Sequence, residues 1–96
     1  MSDPIARVRR GMLLAALNAQ YPHPLTELAL ELQTRAFYAG DPRAMVRDLA
    51  YLVESGYLTR AAEKLGGREF ATYKITPTGI DICEGSTTDP GIEIGG

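Results

Sequence analysis

Few side chains in this 96-residue chain are equipped to do covalent or proton-transfer chemistry. The only histidine, His23, stands between two prolines. It reads as a turn residue and has no neighbouring nucleophile to activate. The single cysteine, Cys83, follows Ile80 at helical spacing and reads as a small core or half-buried residue. A reactive thiolate needs cations close by, and the neighbours here, Asp81 and Glu84, are acidic. Carboxylates are scattered singly, without the paired spacing that acid/base catalysis or a metal site requires. Gly66-Gly67 is not followed by Lys-Ser or Lys-Thr and has strand-like flanks, so it is no phosphate loop. The residues therefore predict no catalytic centre, no cofactor and no metal.

What remains is a distribution of charge. All ten Lys and Arg residues lie between Arg7 and Lys74, whereas Asp81, Glu84, Asp89 and Glu93 crowd the last sixteen positions. Residues 1–80 carry ten positive and eight negative charges, giving +2, and the remainder carries −4. That is a weak electrostatic footprint for a nucleic-acid partner. Composition, 45% hydrophobic and 23% charged, is ordinary for a soluble domain. No apolar run approaches the roughly 18 residues that span a bilayer. Met1-Ser2-Asp3-Pro4 lacks the basic and apolar regions of a signal peptide. With one cysteine, a reducing cytoplasm is the expected setting and no membrane contact is expected.

The elements that must position any site are legible from start and stop signals. Asp3-Pro4 is a cap followed by proline at the first helical position. The apolar series Ile5, Val8, Met12, Ala15 and Ala19 predicts the buried stripe of that first helix, with Arg7, Arg9 and Arg10 largely off it. Tyr21-Pro22-His23-Pro24 ends it. Thr26 caps a second helix to about Phe37, whose expected buried face is Leu25, Leu28, Ala29, Leu32 and Ala36. Asp41-Pro42 repeats the first start signal. A third helix over 42–55 turns Met45, Leu49, Leu52 and Val53 inward and Arg43, Ala44, Arg47, Asp48 and Glu54 outward. Ser55-Gly56 closes it.

Strands are expected from Tyr57 to about Leu65 and from Arg68 to Ile75, joined at Gly66-Gly67. Thr76-Pro77 opens a short last helix containing Ile80 and Cys83. The main core is predicted as Leu28, Leu32, Met45, Leu49, Leu52, Leu58 and Ile75, with Tyr51, Tyr57 and Tyr73 packing the core and the ribbon. Residues 1–85 thus form one α+β domain. Residues 86–96 read as a flexible acidic tail with little to bury, dispensable for folding.

Helix, tight stop and two-stranded ribbon, in that order, resemble the winged helix-turn-helix family. Met45, Leu49 and Leu52 fall where that family has the core of its third helix. Gly56-Tyr57-Leu58 matches the exit into the wing, and Ile75-Thr76-Pro77-Thr78-Gly79 matches the Ile/Leu-Thr-x-x-Gly close of bacterial regulators of the PadR and MarR type. The resemblance covers roughly residues 5 to 84. It implies a three-helix core with a hairpin wing over 57–75 and a recognition helix over 42–55 that reads double-stranded DNA. By position, Arg43, Ala44 and Arg47 become the base-reading candidates, because arginine can donate two hydrogen bonds to guanine. Arg60, Lys64 and Arg68 flank the wing and become phosphate contacts, blind to sequence. Asp48, Glu54, Glu63 and Glu69 depart from such a surface.

The leading expectation is a DNA-binding module, a small cytoplasmic transcriptional regulator. The alternative is a winged-helix module for protein–protein interaction or assembly, as in phage- or plasmid-encoded machines, and the charge balance leans towards it. A small-molecule sensor would need an additional domain or a long dimer helix. With only about eight residues in the last helix, a homodimer would have to use helix 1.

Overall fold

A computed structural model describes residues 3–95; Met1, Ser2 and Gly96, at the ends of the expected domain and tail, lie outside it. Four helices, α1 (Pro4–Gln20), α2 (Glu27–Tyr38), α3 (Arg43–Glu54) and α4 (Pro77–Glu84), surround an antiparallel sheet. Its strands are β1 (Leu25–Thr26), β2 (Leu58–Leu65) and β3 (Arg68–Ile75), in the order β1-β3-β2. Among the described residues, no helix is long and apolar enough to cross a membrane.

Local signals set most boundaries. Asp3 accepts a hydrogen bond from the Ile5 amide at 3.0 Å, Thr26 from Ala29 at 3.0 Å and Thr76 from Gly79 at 3.1 Å. Each satisfies an amide that a helix start leaves without a partner. At the end of α3 the Tyr57 amide reaches Leu52 O and the Gly56 amide reaches Val53 O, with Gly56 at φ 83°. This paired closure requires a left-handed residue, which glycine supplies without a Cβ clash. Leu58 to Leu65 pairs with Ile75 to Arg68 around Gly66-Gly67, as the alternation predicts. The two-residue β1 is an addition to the expected layout, formed because Leu25 and Thr26 lie opposite Tyr73 and Thr72 before α2 turns away.

The core joins Leu13, Leu14 and Leu17 of α1 to Leu30 and Tyr38 of α2, Ala44, Met45, Leu49 and Leu52 of α3, and Leu58, Ala71, Tyr73 and Ile75 of the sheet. Ile82 of α4 and Ile92 complete it. Met45, Leu49, Leu52, Leu58 and Ile75 are buried as expected.

The phase of the first two helices is corrected. In α1, Ile5, Met12, Ala15 and Ala19 are exposed and Val8 is half-buried, while Ala6, Gly11, Leu13, Leu14 and Leu17 face inward. Two apolar series run along this helix about one residue apart, and the one with three leucines withdraws more surface from water. In α2, Leu28 and Leu32 are exposed and Leu30, Thr34 and Tyr38 are buried. The polar members of that inner face are satisfied: the Thr34 hydroxyl donates to Leu30 O at 2.7 Å and the Tyr38 hydroxyl to Asp48 Oδ2 at 2.7 Å. In α3, Ala44 (1% exposed) and Asp48 (2%) are core residues and not members of the outer face.

The segment after Gly85 also has more to bury than its composition suggests. Ile92 is buried, the Glu93 amide donates to Arg7 O at 3.0 Å, and Arg10 Nη1 donates to Gly91 O at 3.0 Å. Gly11 permits this approach, since a Cβ there would collide with the Glu93 carbonyl.

Candidate interaction face

Three elements converge on one side of the molecule. One side of α2 from Glu27 to Tyr38, the start of α3 and the hairpin tip enclose an open groove of about 1010 Å³. That is at the upper end of the roughly 300–1,000 Å³ of small-ligand sites, and its shape is that of a trough. Apolar side chains dominate the walls: Leu28, Met45, Val46, Leu65 and Phe70. Leu28 is 62% exposed, Val46 60% and Leu65 74%. Single exposed apolar residues are ordinary, but several around one concavity mark an interaction surface. Charges of both signs rim it, with Glu27, Glu31 and Glu69 against Arg35 and Arg68.

Of the predicted contact residues, Arg68 lines this groove, whereas Arg43, Ala44, Arg47, Arg60 and Lys64 do not. Arg43 and Arg47 are exposed on α3, one helical turn apart. Arg47 Nη2 is held by Asp41 Oδ2 at 2.8 Å, and this hydrogen bond keeps the Asp41 carboxyl below its ordinary pKa. Ala44, at 1% exposure, packs into the core and cannot meet a base edge, so the carry-over to that position is corrected. Arg60, Lys64 and Arg68 are exposed on the hairpin. Register separates them: Arg60 and Lys64 lie opposite Tyr73 and Glu69, whereas Arg68 lies opposite Leu65, on the other face. The hairpin thus presents no single basic surface.

Inside the molecule, beginning at Tyr38 in the groove wall, charges are consumed internally. Asp48 receives Arg10 Nε on Oδ1 at 3.1 Å, Arg9 Nε on Oδ2 at 3.4 Å and the Tyr38 hydroxyl on Oδ2. Burial, and then the Asp48 carboxylate, raises the Tyr38 pKa far above normal, so that hydroxyl remains a donor. The Arg9 guanidinium lies 5.2 Å from the Tyr38 ring centre and the Arg10 guanidinium 4.1 Å from that of Tyr51. Asp89 accepts from Tyr51 and Tyr57 hydroxyls, both at 2.6 Å, and from the Gly91 amide at 2.7 Å. Burial opposes its ionisation, but these bonds and Arg10 outweigh it and hold the carboxyl below normal. In return, the bond to Asp89 pushes Tyr57 up to about 12.

No family model, curated protein or solved structure matches the chain. The reading of the face therefore rests on its own chemistry.

The groove is hidden from sequence reasoning because Leu28, which lines it, stands at core spacing with Leu32. The signal that could have found it is the competing series Leu30, Thr34 and Tyr38, spaced by four. Cys83 is half-buried, and burial, aided by Glu84, raises its pKa, which disfavours the thiolate.

Proposed function

We propose that this chain is a winged-helix module whose α2–α3–hairpin face docks a protein in a larger assembly. The four helices, the three-stranded antiparallel sheet and the Gly66-Gly67 hairpin support the winged-helix reading. The observation that carries the choice of partner is the exposure of Leu28, Val46 and Leu65 around one groove. Apolar side chains on such a face gain by leaving water against another protein. They gain little against phosphates, which take up cations.

Site-specific photo-crosslinking in cells that express the chain tests this. A photoreactive residue at Leu65 or Val46 should give protease-sensitive adducts that the same residue at exposed Ala19 does not. Nuclease-sensitive adducts from the groove positions would replace this reading with the DNA one.

A second reading, a DNA-binding regulator, is favoured by one observation: Arg43, Arg47, Arg60, Lys64 and Arg68 are all exposed on α3 and the hairpin. A gel shift on random duplex at low salt tests it. Under this reading Arg47→Ala relaxes sequence preference, and Arg68→Ala weakens all duplexes alike and flattens the salt dependence.

A further inference from the structure

Resting on the protein-docking reading, we infer that the groove takes an extended peptide segment that adds as a strand to the free edge of β3. The argument begins at the turn. Gly66 and Gly67 are both left-handed, at φ 59° and 79°, the backbone of a two-residue hairpin loop whose twist matches the strands. In such a hairpin the flanking residues, Leu65 and Arg68, exchange both main-chain hydrogen bonds. Alternation along the antiparallel ladder then directs Phe70 and Thr72 towards Glu63 and Ala61 of β2 as well. Glu69, Ala71 and Tyr73 present their main-chain groups on the opposite edge.

Tyr73 is met there by Leu25 of β1, but β1 ends at Thr26, opposite Thr72. Past that point α2 turns away, and the edge around Glu69 opens into the groove, whose walls include Glu69 and Ala71. Among the described residues, no turn, loop or side-chain hydrogen bond reaches the Glu69 main chain. A β3 edge continued beyond β1 is a template for an extended chain, the geometry of strand addition. Side chains of an added strand alternate between the face of Arg68 and Phe70 and the face of Glu69 and Ala71. Those on the second face meet the helix side of the groove, with Leu28 and Val46. That selects apolar residues at alternate positions. Along the rim Glu27, Glu31 and Glu69 favour a basic residue and Arg35 and Arg68 an acidic one, so the occupant carries charges of both signs. Such an occupant is a linear motif or an unpaired terminal strand of a partner protein.

The test is a random-peptide display library panned on the full chain. Selected peptides should alternate apolar and polar residues, carry charges of both signs and shift the amide resonances of Glu69 and Ala71. Methylating the backbone nitrogens on the pairing edge of a selected peptide should weaken it by about tenfold or more, because each lost main-chain bond counts directly. Glu69→Pro should have the same effect while leaving the fold intact, since the Glu69 N–H does not serve the β2 ladder. N-methylation needs no protein variant and decides the matter if Glu69→Pro perturbs the hairpin.

Peptides lost with Val46→Asp but indifferent to N-methylation would overturn strand addition and leave the docking reading standing. Selection of no groove-dependent peptide, or occupation of the groove by duplex DNA or a second copy of the chain, would overturn strand addition. If the photo-crosslinks at Leu65 and Val46 also fail to reach protein, the docking reading falls with it.

Discussion

The polar interior of the molecule, its back, and the groove face, its front, are built on opposite terms. At the back, where α1, α3 and residues 89–93 meet, Asp48 and Asp89 are surrounded by donors and lie under half-buried arginines and tyrosines. At the front, Leu28, Val46 and Leu65 stand in solvent around a groove. Polar groups are thus withdrawn from water and apolar groups left in it, the reverse of the usual sorting. A buried ion pair adds little net stability over apolar packing, yet breaking one is costly because the remaining charge has no partner. The back is therefore brittle to substitution and the front tolerant. Mutability separates framework from working surface here better than residue class does.

The largest effect that would sharpen this contrast is expected at Asp48. Asp48→Ala leaves Arg9, Arg10 and the Tyr38 hydroxyl without their common acceptor and should cost about 3–5 kcal/mol in chemical denaturation. A loss below about 1 kcal/mol would show that water replaces the carboxylate and that the back is not brittle.

Next come two leucines of one helix. Leu30→Ala empties a fully buried site and should cost about 2–5 kcal/mol. Leu28→Ala, two residues earlier, should stay within about 0.5 kcal/mol, as surface changes do. Equal losses would place the α2 phase wrongly.

Ending the chain after Gly85 should destabilise it by about 1.5–3 kcal/mol from the burial of Ile92 alone. An unchanged melting temperature would restore the view of this segment as a dispensable tail.

Smaller effects should follow pH. The folded Asp89 pKa is depressed, so its contribution is present above the ordinary carboxylate range and lost as pH falls through the folded value. Tyr57 is raised to about 12, so its contribution is complete below its unfolded value and lost as pH rises towards about 12. Asp89→Asn should flatten both limbs of the stability curve. A curve identical to the native one would mean that the clasp does not form in solution.

The smallest effect should be at the front. Val46→Asp should change stability by less than about 0.5 kcal/mol while abolishing capture at the groove. If it unfolds the protein, Val46 belongs to the core and the contrast fails.

The same division separates what could be read in the sequence from what could not. Asp3, Thr26, Thr76, Gly56 and Gly66-Gly67 act on residues within a few positions, and their boundaries are found within a residue or two. The centre of the inward face of α3 was plain, since Met45, Leu49 and Leu52 recur at helical spacing, but its width was not, because Ala44 and Asp48 are buried beside them. In α1 and α2, two series compete, and the choice depends on which side chains find partners across the core. Asp48 looks like a surface residue because Arg9 and Arg10 lie almost forty positions earlier. Ile92 looks unsupported because its seat depends on Gly11. Of the candidate site, the exposure of Arg43, Arg47, Arg60, Lys64 and Arg68 was legible. The groove was not, because it exists only once Leu28 faces outward.

Arg10 joins Asp48, 38 residues away, and Gly91, 81 residues away. Closing such long loops costs chain entropy before any bond rewards it. During synthesis, residues 86–95 emerge from the ribosome after residues 1–85, so the Asp89 clasp cannot close until the rest of the domain is already out. Its bonds should be absent from the rate-limiting step of folding and present only in the finished protein. Weakening them, as in Asp89→Asn, should hasten unfolding and leave the folding rate nearly unchanged. The clasp would then act on the lifetime of the folded chain more than on its formation.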